Sequence, residues 1–202
     1  MGNDFSLPQG IEINDISDIH NCFEATQKNI LASISSNKLL KILSELVKQL
    51  TAPVFFFIET PCDEDTEKKL RKDDSSPLHK DVYYLDNCTT KVALAIIKRY
   101  GELLINDGLV QFGFGSNTEN EEIYIMKYNV LSIYAEDTSS FCSILKNYNI
   151  TQEKNIKTLW DTLSEDNPGA CTLIDLNGEN IFDIVENLKD EGIYLSHQDE
   201  DD

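Results

Sequence analysis

Positive charge is what this 202-residue chain has least of: two arginines, Arg71 and Arg99, and fifteen lysines stand against 36 acids, a net charge of −19. Nucleic acid is thereby excluded as a partner, because neutralising phosphates needs clustered Lys and Arg. An anionic membrane surface is excluded by the same repulsion. Long hydrophobic runs are missing too. None approaches the roughly 18 residues of a membrane span, and Met1 to Gly10 has no basic region followed by an apolar stretch, so a cytoplasmic location is expected. Cysteine is sparse and scattered. Cys22, Cys62, Cys88, Cys142 and Cys171 are odd in number and form no CxxC pair, which argues for reduced thiols and against a disulfide framework or zinc site. With three histidines and no HExxH spacing, no metal and no cofactor are expected.

What is present fits a globular chain, with 41% apolar residues and nine phenylalanines, enough for one domain over residues 1–202. Residues 1–52 read as a helical pair. Asp18 or Ser17 caps a first segment carrying Ile19, Phe23, Ile30 and Ile34, and after Ser35-Ser36-Asn37 a second stripe runs through Leu39, Leu43, Leu46, Val47 and Leu50. Residues 53–198 read as an α+β body. Val54 to Ile58 is a continuous apolar run suited to a strand covered on both faces, and the polar stretch Cys62 to Lys80 holds one short helix in a long loop. Val82 to Leu85, Leu109 to Phe114 and Glu122 to Tyr134 follow as strands. Thr158 to Leu163 and Cys171 to Leu176 look like a hairpin around Asn167-Pro168-Gly169. The expected fold is therefore α+β, a mostly antiparallel sheet with helices packed on it, ending in an acidic tail at residues 199–202.

The negative charge is unevenly placed. From Thr151 to Asp202 there are 3 lysines and 14 acids, a net −11. If Glu179 to Glu191 is one helix, Glu179, Asp183, Glu186 and Asp190 fall within about 60° of one another, opposite Ile181, Ile184, Val185 and Leu188. Glu165 and Asp166, close to Trp160 in sequence, add to the same negative surface. A solvated face explains such a stripe; so does a docking surface for a cationic protein.

Catalytic constellations do not assemble from spacing. His79 and Cys62 form a pair without a third group. Phe112-Gly113-Phe114-Gly115-Ser116 lacks the Gly-Lys-Ser or Gly-Lys-Thr of a P-loop, so its glycines point to close backbone packing. The acids Asp63, Glu64 and Asp65, like Asp73 and Asp74, lack the glycine of a calcium loop.

In its size, acidity, lack of an active-site signature and acidic elements such as Glu179, Asp183, Glu186 and Asp190, the chain resembles the small acidic immunity proteins of bacterial polymorphic toxin systems. The resemblance implies a non-enzymatic inhibitor that binds a basic toxin or nuclease domain. It carries over no catalytic residues. The alternative expectation is a small hydrolase or transferase using Cys62, His79 or a cleft beside Trp160.

Overall fold

A computed structural model describes residues 5–73 and 75–201; Asp74 and Asp202, counted above among the loop and tail acids, and the first four residues lie outside the described residues. In chain order the strands are β1 (Ile11–Glu12), β2 (Cys22–Ala25), β3 (Asn29–Ser33), β4 (Val54–Pro61), β5 (His79–Cys88), β6 (Gln111–Ser116), β7 (Glu122–Met126), β8 (Val130–Tyr134), β9 (Thr151–Gln152), β10 (Ala170–Cys171) and β11 (Tyr194–Glu200). The helices are α1 (Ser36–Val47), α2 (Glu64–Leu70), α3 (Thr90–Asn106), α4 (Ser139–Asn147) and α5 (Ile181–Asn187). Nine strands form one sheet in the order β11-β5-β4-β6-β7-β8-β3-β2-β9, antiparallel except where β9 joins β2; β1 and β10 pair separately.

The fold is α+β, as the patterning predicts. In α1, Leu39, Ile42, Leu43, Leu46 and Val47 recur at helical spacing and are all buried. Helix α3 starts where the Thr89 hydroxyl accepts the Val92 N–H, and buries Ile96, Ile97, Leu103 and Leu104. It stops at Asp107, whose buried carboxylate accepts the N–H groups of Leu109, Val110 and Ile174. These helices, with Phe141 and Leu145 of α4 and Ile181 and Ile184 of α5, share one core with Phe56, Phe112, Phe114, Ile123 and Ile133 of the sheet. Each such side chain contributes about 1.5–3 kcal/mol on burial. A smaller cluster joins Phe5, Ile11, Ile13, Ile19 and Leu159.

Several sequence expectations are corrected. The N-terminal helical pair is one helix and one hairpin: α1 forms, but the segment before it folds as β2 and β3, joined at Thr26 to Asn29. Ile30 and Ala32 are buried while Leu31 between them is exposed, a period of two that the i,i+4 spacing of Ile30 and Ile34 conceals. Glu122 to Tyr134 is broken by Tyr128 and Asn129, both at positive φ, so β7 and β8 fold back on each other. Thr158 to Leu163 forms no hairpin with Cys171 to Leu176. Residues Leu159–Thr162 make a 3₁₀ turn closed by a Thr158/Asp161 capping box, and the tight turn lies at Ser164 to Asn167. Of the acidic tail, Asp199 and Glu200 belong to β11, where they pair with Lys80 and His79.

Candidate interaction face

Alternation along β4 sends Val54, Phe56 and Ile58 into the helix-side core and Phe55, Phe57 and Glu59 to the opposite face. Phe57 is nevertheless buried there, at 3% exposure. In β6, Gly113 stands opposite Phe57 and Gly115 opposite Phe55, and a Cβ at either glycine would collide with the facing ring. The two phenyl rings therefore lie over the two glycines of β6. Tyr84 of β5 and Tyr124 of β7 complete the patch: ring centroids are 5.7 Å apart for Phe55 and Tyr84, 5.7 Å for Phe57 and Tyr84, and 5.2 Å for Phe57 and Tyr124. Cross-strand register extends the row through Ser132 and Leu31 to Glu24 on one side, and to Tyr194 on the other. Leu31 is 38% exposed and Tyr194 48%. This side of the sheet is a half-buried aromatic surface with exposed flanks.

Its charge is negative. Glu59 is buried and satisfied, accepting from Lys80 Nζ at 2.7 Å, the Tyr124 hydroxyl at 3.0 Å and Gln111 Nε2 at 3.3 Å. Glu122, opposite Gly115 in the register, is different. Among the described residues it has no hydrogen-bond or ion-pair partner, and burial, then the Glu59 charge, push its carboxyl above the usual range. The Tyr84 hydroxyl is raised by burial and then by Glu122, Glu59 and Asp86, the mark of a negative field over the rings. A cationic side chain placed here would meet aromatic rings and a partly desolvated carboxylate together.

The acids singled out by sequence are dispersed. Helix α5 spans only seven residues, and Glu179 precedes its Asn180 cap, in a tight turn where its carboxylate takes a hydrogen bond from Arg99 Nη2 of α3. Asp183 accepts the Asn180 N–H at 2.8 Å as the far half of a capping box, and Glu186 pairs with Lys189. Asp190 sits in the 3₁₀ turn after the helix, which ends at Gly192 with φ 98°. Glu165 and Asp166 are exposed in a loop pinned to the N-terminal segment through Asn167 and Asp15. These six residues make no common helical stripe. Three carboxylates are already bound within the fold.

The structure does bring the catalytic alternative's pair together, the Cys62 N–H donating to the His79 carbonyl at 3.0 Å, but each side chain engages an acid instead. His79 Nδ1 lies 3.1 Å from Glu67 Oε2, and Cys62 Sγ donates to Asp81 Oδ1 at 3.2 Å. Burial, then the Asp81 contact, pushes the Cys62 thiol up to about 12, the reverse of an activated nucleophile. Trp160 is 41% exposed and rests edge-on against Tyr128 at 4.8 Å. Burial, then Glu153, raises the Cys22 thiol to about 11.

Sequence reasoning missed the aromatic face. The signal was present in Phe112-Gly113-Phe114-Gly115, where glycine alternates with core phenylalanine, but its partners Phe57 and Tyr84 come from other strands. No family model, curated protein or solved structure matches this chain. No described helix is long and apolar enough to cross a membrane.

Proposed function

We propose that the protein is a non-enzymatic binding protein that captures a basic protein partner, in the manner of an immunity protein neutralising a toxin or nuclease domain. The observation that carries this reading is Glu122, a half-buried carboxylate without a cationic partner among the described residues, set beside the half-buried aromatic patch of the sheet. Partial desolvation makes the unpaired charge less favourable than in water, and a cationic partner offsets that. A lysine or arginine of the partner does so, and the rings of Phe55 and Tyr84 supply rigid contact area.

The C-terminal acids act at longer range. Asp190, Glu165 and Asp166 take part in no ion pair among the described residues, and with the −11 of the last quarter they draw a cation toward the molecule before contact. Capture from native-cell extract tests the reading, using the parent chain and the double variant Tyr84→Ala/Glu122→Gln as baits. A basic protein retained by the parent and reduced at least thirtyfold on the variant is expected. Equal retention on both baits, or a partner that is not basic, contradicts it.

A further inference from the structure

His20, Cys22 and Glu153 are separated by up to 133 residues and meet at the β9 edge of the sheet. The Thr151 N–H donates to the Asn21 carbonyl at 3.3 Å and the Glu153 N–H to the Phe23 carbonyl at 2.9 Å, and this parallel pairing brings Glu153 beside the start of β2. One donor atom from each of the three lies within 4.8 Å of the other two, and His20 Nε2 is 2.9 Å from Glu153 Oε1. Cys22 is fully buried. The side chains of His20 and Glu153 above it are 56% and 38% exposed.

We infer that this trio is a binding site for a zinc-class divalent ion, held by the Cys22 thiolate, the His20 imidazole and the Glu153 carboxylate, with water on the open side as fourth ligand. The donor set chooses the ion. Calcium and magnesium prefer oxygen ligands, whereas thiolate with imidazole suits Zn²⁺ or its spectroscopic substitute Co²⁺. Bond lengths of about 2.0–2.3 Å put tetrahedral ligands roughly 3.3–3.7 Å apart, so binding needs a shift of at most about 1 Å, with the His20 and Glu153 donor atoms, now 2.9 Å apart, moving slightly away from each other. His20 and Glu153, both partly exposed, supply that movement by side-chain rotation. The balance is simple: Zn²⁺ binds the sulfur, and the thiol proton leaves to solvent. Such an ion would tie the two-residue edge strand β9 to β2. It does not depend on the proposed partner.

The test is titration of the metal-free full chain with Co²⁺, read as the near-ultraviolet thiolate-to-cobalt charge-transfer band and the visible bands of a four-coordinate ion. One equivalent is expected to saturate both. Cys22→Ser is expected to abolish the charge-transfer band, and His20→Ala and Glu153→Gln each to weaken affinity at least tenfold. The latter two positions are exposed enough for the fold to persist if Cys22→Ser does not fold. Cys62→Ser and Cys171→Ser should leave the band intact, and Zn²⁺ should raise the Tm of the parent more than that of His20→Ala. Absence of the band at millimolar Co²⁺, its loss in Cys62→Ser or Cys171→Ser, or unchanged affinity in His20→Ala overturns the site.

Discussion

A methyl group at position 113 would collide with the Ile123 carbonyl oxygen and with the Phe57 ring, and only the ring is able to turn away. Gly113→Ala is therefore expected to cost about 1–3 kcal/mol, an overpacking penalty that the neighbouring backbone does not relieve. Urea unfolding followed by tyrosine fluorescence measures it, and a midpoint equal to that of the parent would contradict the flat-ring geometry. Glu122 makes a prediction of opposite sign. Its carboxyl titrates higher in the folded chain than in the unfolded one, so the folded state holds the proton more tightly. Its contribution is most favourable below the unfolded value of about 4.3 and is lost as pH rises through the raised folded value. Glu122→Gln removes that loss, so the variant is expected to gain stability over the parent at pH 7 relative to pH 4. Denaturant midpoints at the two pH values check it; a difference that shrinks as pH rises would contradict the desolvation of this carboxylate.

Among the elements, α5 shows why a wheel of acids is a poor guide to a docking surface. Asp183 closes the capping box on Asn180, so Asp183→Lys unfastens the first turn at a cost of about 1 kcal/mol, whereas Asp190→Lys lies beyond the helix and should leave stability unchanged. Thermal unfolding of the two single variants separates these cases, and equal Tm values would remove the structural role given to Asp183. Elements such as α1, through Leu39 to Val47, and β4, through Val54 to Ile58, were legible in the sequence because their apolar spacing is unambiguous. The hairpin β2–β3 was not, since Ile30 and Ile34 satisfy helical spacing and the decisive fact, exposure of Leu31, follows from pairing with β8. Long-range pairing also hides the candidate sites. Phe57 meets Gly113 and Tyr84 across strands, and Cys22 meets Glu153 across most of the chain. The Arg99 contact that engages Glu179 likewise crosses 80 residues, which no local pattern reports.

For the molecule as a whole, α1, α3, α4 and α5 pack on one side of a nine-stranded sheet, and part of the other side is aromatic and negatively charged. Charge and contact area then divide the work of recognition. Dispersed acids such as Glu165, Asp166 and Asp190 govern the rate of encounter and its salt dependence, while the Phe55, Tyr84 and Glu122 face governs how long a partner stays. The most direct measurement is the binding kinetics of the captured basic partner with three chains at fixed ionic strength: the parent, Tyr84→Ala/Glu122→Gln, and Glu165→Lys/Asp166→Lys/Asp190→Lys. The face variant is predicted to dissociate at least a hundredfold faster with little change in association, and the acid-reversal variant to associate more slowly with a shallower salt dependence. A face variant that releases its partner at the parental rate would contradict the account.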